Sequence, residues 1–285
     1  MAVWRSPASD GFELVTTFGR RARMGVLVDD LYPGPTSRFD RGNVLVVDLR
    51  SGSIEGVTDI ALFGGANALG VEASPGVWEI IQAADAELIA PGRYRLTRLL
   101  RGQRGTETSV GSPALAGSRV IVLDANLAAL PLGEADIGLP WNWRIGPASR
   151  TPSDETFVAR PFTPSGLGLR PFSVCQVEQP WRTARTPGDL TIRWTRRSRA
   201  LAADSWTGVD VPLAEETERY EIEIRDGAAV KRTLTTASTS VVYSAAQQTA
   251  DWGALLGPGD SLDVRIFLLS AIVGRGAPTS ITLFF

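Results

Sequence analysis

The chemistry open to this chain is limited by two residue types that it lacks or nearly lacks. Its 285 residues include no histidine and one cysteine, Cys175. Without imidazole there is no Ser-His-Asp or Cys-His nucleophile, no histidine general base, and most zinc and iron sites are excluded. A lone cysteine forms no internal disulfide and no thiolate cluster, and no imidazole activates it. The sequence therefore predicts no catalytic residue, no cofactor and no metal, and we interpret the protein as non-enzymatic.

Paired carboxylates are the remaining arrangement that could perform acid–base chemistry. Two carboxyl groups on either side of a glycosidic bond can cleave it. Candidate pairs are Asp29 with Asp30, Glu79 with Asp85, and Glu134 with Asp136. Acidic residues on a β-rich surface give the same pattern by chance, and nothing sets one pKa apart from the next. We therefore favour a surface role for these residues.

One glycine-rich segment could be read as a phosphate-binding loop. It runs from Leu99 to Glu107 and reads Leu-Leu-Arg-Gly-Gln-Arg-Gly-Thr-Glu. It lacks the lysine and the spacing of a P-loop. We predict instead a structural corner, in which Gly102 and Gly105 adopt positive φ and Arg101 and Arg104 pair with carboxylates.

Tryptophans in loop-like sequence are candidates for glycan or receptor contact, because an exposed indole can stack on the apolar face of a sugar. Three satisfy this description: Trp181, Trp206 and Trp252. Most tryptophans pack in or near a core, which is the alternative for each of them.

The overall charge and hydropathy exclude other classes of function. The formal net charge is −2, whereas a nucleic-acid-binding domain usually carries a clustered basic surplus. No apolar run approaches the roughly 20 residues that span a bilayer. The first residues lack the features of a signal peptide. We expect a protein made in the cytoplasm, with no membrane span and no nucleic-acid partner.

The positions of glycine and proline indicate an all-β fold. The 29 glycines and 18 prolines separate short apolar runs, many with alternating polarity. Strands are predicted at 43–49, 78–82 with 86–89, 94–100, 119–123 and 141–145, and in the second half at 189–194, 219–225, 240–244, 262–268 and 281–285. We predict a β-rich barrel or sandwich domain over 1–155, a Pro/Gly/Ser-rich linker over 156–172, and a β-sandwich over 173–285.

The second half resembles a fibronectin type III domain. Trp194 and Tyr220 match that family's paired core aromatics, and Leu256–Val264 resembles its Leu-x-Pro-Gly-x-x-Tyr-x-Val segment. Leu262 stands where the family has its corner tyrosine, so the hydroxyl that bonds back to the backbone is missing.

The first half resembles the C-terminal region of the tail-tip protein family of gene transfer agents and siphophages, described as host-specificity or baseplate hub proteins. The segments that carry the resemblance are Arg38–Asn43, Gly64–Leu69, Trp78–Gln82, Pro91–Leu96 and Leu99–Glu107. In that family, hub parts and a TIM barrel precede this region, so we expect the chain to be a C-terminal piece or a short version.

The resemblance implies a structural and adhesion role at the distal tail tip of a phage-like particle, in tail-tip assembly and host-surface recognition. It implies other tail-tip or baseplate proteins as partners, a homotrimer in the full assembly, a host polysaccharide or receptor as ligand, and a location in the particle tail. The alternative from another class is a carbohydrate-binding accessory module of a larger extracellular enzyme.

Overall fold

The chain folds into two compact units that are rich in β-structure. A computed structural model describes residues 1–179, 187–199 and 211–285. The units comprise Met1–Leu167 and Gly168–Phe285. Strands account for 42% of the chain and helices for 9%, which confirms the predicted all-β class. No helix in the described ranges is both long enough and apolar enough to span a membrane.

The first unit contains strands β1–β10 and the short helix α1. Their bounds are β1 (Ala2–Ser6), β2 (Glu13–Thr17), β3 (Met24–Leu27), β4 (Leu45–Leu49), α1 (Asp59–Phe63), β5 (Ala68–Ser74), β6 (Val77–Ala90), β7 (Arg93–Gln103), β8 (Arg119–Val122), β9 (Trp141–Gly146) and β10 (Val158–Phe162). Short 3₁₀ helices occur at Glu107–Gly111 and Glu134–Asp136. Each strand predicted in this half is present, although 78–82 and 86–89 form one continuous strand, β6.

Six of these strands close into a barrel in the order β3-β4-β7-β6-β5-β8. Of the two predicted alternatives for this domain, a barrel or a sandwich, the structure therefore has the barrel. Alternate side chains point inward, as Leu45, Val47 and Leu49 of β4 do, and the interior is filled with aliphatic residues. Where β3 pairs with β4, there is no room for a side chain at Gly25, because a Cβ there would lie 2.1 Å from the carbonyl oxygen of Asp48.

The remaining strands of the first unit form a second antiparallel sheet, in the order β10-β9-β1-β2. Strand β10 lies within 156–172, the segment predicted to be a linker, and the division between the units falls at 167/168. Pro161 was one reason for the linker prediction. A proline is tolerated in this strand because β10 lies at the edge of the sheet and needs hydrogen bonds on one side only.

The second unit contains the remaining elements. They are β11 (Leu190–Arg193), β12 (Tyr220–Asp226), β13 (Ala229–Thr236), β14 (Ser240–Tyr243), α2 (Ala245–Trp252), β15 (Ser261–Ser270), β16 (Gly274–Arg275) and β17 (Thr279–Phe284), with a 3₁₀ turn at Leu167–Leu169 before them. Strand β11 pairs with β14, while β13, β12 and β15 form a larger sheet in which β16 and β17 both pair with β15.

The aliphatic core of this unit surrounds an aromatic pair. The rings of Trp194 and Tyr220 meet edge to face with centroids 5.1 Å apart. Leu262 is also buried there. Helix α2 was not predicted, although its start carries a capping box of Ser244 and Gln247 and its end is Gly253 in the left-handed conformation.

Candidate functional site

A buried arginine lies where three of the sequence segments singled out above meet in the barrel. Arg101 of β7 donates two parallel hydrogen bonds to Glu79 of β6, at 2.6 Å from Nε to Oε1 and 2.9 Å from Nη2 to Oε2. Its Nη1 lies 3.0 Å from Oδ2 of Asp40. All three side chains are only 2% exposed. We call these three residues the Arg101 cluster.

Hydrogen bonds satisfy the Arg101 cluster on every side. Asp40 accepts the backbone N–H groups of Gly42 and Asn43 and the side-chain amide of Asn43 at 2.7 Å. Glu79 accepts the N–H of Gly102, and the remaining Nη1 proton of Arg101 is donated to the backbone carbonyl of residue 32, 2.9 Å away. A buried ionic group of this kind is tolerated only when its polar atoms are paired.

Asp40 and Arg101 of the cluster are charged at neutral pH. Burial by itself would raise the pKa of Asp40, but hydrogen bonds from Asn43, Arg101 and Gly42 outweigh burial and hold that pKa below its usual value. Burial would lower the pKa of Arg101, yet Glu79 and Asp40 together raise it. One cation therefore lies between two carboxylates, an arrangement suited to holding backbone segments together.

The chain after Arg101 turns as a structural corner. Gly102 has φ +60° and Gly105 has φ +80°, and a Cβ at Gly102 would lie 2.7 Å from the Cα of Glu107. The hydroxyl of Thr106 accepts the N–H of Ile80 and so ties the corner back to β6. The predicted positive φ values and the ion pairing of Arg101 are confirmed. Arg104 differs, because it has no carboxylate partner among the residues that the structure describes.

An exposed patch lies around helix α1, which the barrel holds through backbone carbonyls. Gln82 of β6 donates to the carbonyl oxygens of Leu62 and Ala66 at 2.6 and 2.8 Å. Two apolar side chains of the helix face solvent, since Ile60 is 82% exposed and Phe63 is 57% exposed. Apolar residues exposed on a rigid base are typical of interaction surfaces.

The patch also includes an aromatic residue in contact with two guanidinium groups. The ring of Phe39 lies 6.0 Å from that of Phe63, and Arg41 and Arg98 lie over Phe39 at 5.8 and 5.6 Å from its centroid. Ion pairs to Asp59 and Asp85 anchor Arg98. We call Phe39, Arg41, Ile60, Phe63 and Arg98 the α1 patch. Sequence reasoning missed it, although Thr58, which caps the helix, was a readable signal.

The predicted carboxylate pairs have separate partners in the structure. Glu79 binds Arg101 in the interior, whereas Asp85 binds Arg98 at the surface. Asp136 pairs with Arg5 and accepts the N–H of residue 133 within its 3₁₀ helix. At the first pair, Asp29 and Asp30 are exposed, and Asp30 accepts a backbone N–H from residue 116. Four of the six carboxylates thus have a partner within the fold. The surface role predicted for these residues is wrong for Glu79, because its side chain is only 2% exposed.

Of the tryptophans proposed for glycan contact, Trp252 can be placed, while Trp181 and Trp206 lie outside the described residues. Trp252 ends α2 and donates its indole N–H to the Tyr243 hydroxyl at 2.9 Å. That hydroxyl donates to Asp251, which also holds Arg232. The ring packs against the core, and Lys231 lies 5.4 Å from its centroid. A sugar that stacked on this ring would compete with Lys231.

Comparison with known proteins connects the barrel to one family. Residues 22–121 match the family model described as Rcc01698-like, C-terminal, and Rcc01698 is a gene transfer agent protein. The matched segment runs from the residues just before β3 into β8, so it coincides with the closed barrel. It also contains the Arg101 cluster and the α1 patch. The match suggests that the protein is related to gene transfer agents. No curated protein matches the chain.

Proposed function

We propose that the chain is a non-catalytic structural and adhesion component of the distal tail tip of a phage-like particle. The barrel would assemble with other tail-tip or baseplate proteins, in a homotrimer, and the second unit would contact a polysaccharide or receptor on the host surface. The observation that carries the proposal is the match of residues 22–121, which contain all but the last residue of the barrel strands, to the Rcc01698-like C-terminal family.

The barrel interior supports a structural role. The segments that carry the family resemblance meet at the Arg101 cluster, which is buried and fully hydrogen-bonded, and so inaccessible to a substrate. Beside them the α1 patch exposes Ile60 and Phe63. A rigid base under an exposed apolar surface suits a protein that joins other subunits.

The strand pairing of the second unit supports the fibronectin type III-like assignment. In immunoglobulin-like sandwiches, strand B pairs with E in one sheet, and C, F and G are neighbours in the other. Here β11 pairs with β14, β12 pairs with β15, and β15 pairs with β17. These pairs correspond to B–E, C–F and F–G. Such domains recur at cell surfaces, which fits a role in adhesion.

Immunogold labelling of purified particles tests the tail-tip role. An antibody against the chain should label the distal end of the tail. In a strain that lacks the gene, complementation with Ile60→Ser/Phe63→Ser should give particles from which the chain is lost. The matched control, Leu88→Ser/Leu115→Ser, changes two other largely exposed apolar residues, outside the α1 patch, and these particles should retain the chain. Absence of the wild-type chain from particles would refute the tail-tip role.

Binding to host cells separates this role from that of a carbohydrate-binding module of an extracellular enzyme. Labelled protein should bind host cells, and stripping of the surface polysaccharide should reduce binding if the ligand is glycan. A chain that binds isolated polysaccharide but never occurs in particles would favour the accessory module. Loss of polysaccharide viscosity on incubation with the protein would contradict the non-catalytic assignment.

A further inference from the structure

A groove of about 550 Å³ crosses one face of the β10-β9-β1-β2 sheet in the first unit. Val3 of β1 and Trp143 and Ile145 of β9 line it. The register of β1 against β9 brings these side chains together, because Val3 lies opposite Ile145 and directly opposed residues of antiparallel strands point to the same face of the sheet. Leu127 and Leu130 contribute from the loop before β9, and Phe162 from β10. We call this the sheet groove.

The sheet groove is apolar and extends onto exposed surface. Val3 and Trp143 are buried in the sheet, whereas Phe162 is 54% exposed. Val158, at the other end of β10, is also exposed and shares the face of Phe162 by the alternation of side chains in a strand. The apolar surface is therefore larger than the cavity alone, as expected for a site that binds part of a macromolecule.

Two arginines give the sheet groove a positive charge. Arg20 and Arg160 line it, and no acidic residue does so in the part of the chain that the structure describes. Arg20 donates to the backbone carbonyl of residue 125 and Arg160 to that of residue 159. Neither has a carboxylate partner within the described ranges, unlike Arg101 in the barrel. Their positive charge is left for a ligand to neutralise.

The two arginines lie near opposite edges of the sheet. Arg160 lies on the edge strand β10, and Arg20 follows β2, the strand at the other edge. Three strand spacings separate those edges, roughly 14 Å. About four residues of extended chain span that distance. A ligand that reaches from one edge of the sheet to the other across the apolar floor must therefore be elongated.

We propose that the sheet groove binds an extended segment of a partner protein that carries large apolar side chains between two carboxylates about four residues apart. The apolar side chains would cover Leu130 and Phe162, and the carboxylates would pair with Arg20 and Arg160. This proposal goes beyond the tail-tip role, because apart from Ala22 the residues that line the groove lie outside the matched segment 22–121.

Site-specific photo-crosslinking in cells that produce the protein tests the proposal. A benzophenone amino acid at position 162 should crosslink to one segment of a partner protein, and mass spectrometry should find apolar and acidic residues in it. The same probe at position 115, exposed and outside the groove, should not yield that adduct. Arg20→Glu/Arg160→Glu should reduce the adduct at least tenfold. Unchanged thermal unfolding of this variant would show that the loss is local.

Several results would overturn the proposal. They are the absence of an adduct at position 162, an adduct with lipid or with a second copy of this chain, a crosslinked segment without carboxylates, and an adduct unaffected by charge reversal. Because the crosslinking is done in whole cells, it is independent of whether the chain occurs in particles. An adduct formed by a chain that is absent from particles would refute the tail-tip role and leave this inference intact.

Discussion

Replacing Arg101 with methionine removes the only cation from a cluster that holds three parts of the barrel together. Arg101 donates hydrogen bonds to both oxygens of Glu79, to Asp40 and to one backbone carbonyl. In Arg101→Met these acceptors lose their donor while both carboxylates stay in the interior. Methionine fills part of the volume but offers no hydrogen bond.

The expected loss in free energy of unfolding is about 4 kcal/mol, because removing one partner of a buried ion pair leaves an uncompensated charge. Arg95→Met is the matched control. Arg95 lies on the same strand and pairs with Glu87, but both side chains are exposed. Arg95→Met should therefore lower the free energy of unfolding by less than about 1 kcal/mol.

Urea denaturation monitored by circular dichroism and fluorescence gives both values, with the transition of the barrel resolved from that of the second unit. Losses within about 1 kcal/mol of each other would refute the reasoning, since they would mean that Arg101 is worth no more than a surface arginine.

The pH dependence of the same loss has a predicted sign. The folded state lowers the pKa of Asp40 below 3.8, so ionised Asp40 stabilises the fold above that pH, and this contribution is lost as the pH falls through the folded pKa. Arg101→Met removes one cause of the lowering. The difference between wild type and variant should therefore be largest near neutral pH and decrease below about pH 4.

Three further predictions concern other parts of the two units. Hydrogen bonds from Arg119 and from a backbone N–H lower the pKa of Glu72 to about 2, so its ionised form stabilises the fold above about pH 4.5 and less as the pH falls toward 2. In Arg119→Met an NMR titration should find that pKa closer to 4.5, and a value still near 2 would contradict the assignment. Gly102→Ala should lower the free energy of unfolding by roughly 3 kcal/mol, because it adds a backbone clash to a positive φ. The control Gly117→Ala, which has a positive φ but open space around it, should lower that free energy by about 1 kcal/mol. Equal losses of stability in urea denaturation would refute the clash. Tyr243→Phe should cost about 1–2 kcal/mol, because it removes the hydroxyl between an indole and a carboxylate, and thermal unfolding unchanged from wild type would argue against that network.

Several features of the fold were predictable because they depend on local sequence. Alternating polarity marked strands such as β12 and β15, and the glycines of the corner at 99–107 indicated the positive φ values observed there. Strand β10 was not predicted, because Pro161 and the polar residues around it are as typical of a linker as of an edge strand. Helix α1, of five residues, is too short for helical periodicity to appear.

The candidate site was predictable only in part. The sequence indicated that Arg101 would bind carboxylates, but its partners are 22 and 61 residues away along the chain. Which acidic residue reaches it depends on strand register and on barrel closure, neither of which has a local signal. The same reasoning applies to the sheet groove, since Arg160 lies on one edge strand and Arg20 follows the strand at the other edge.

By itself, the sequence determined the all-β class, most strand positions and the exclusion of histidine and disulfide chemistry, because composition and alternation are properties of the chain alone. Only the tertiary structure decided which charges are buried and which are left for a partner. Arg101 and Arg160 are the same residue type on β-strands, yet closure of the barrel encloses the first between two carboxylates, and the open edge of the second sheet leaves the other exposed. Burial and pairing depend on contacts between distant segments, and these form only when the chain folds.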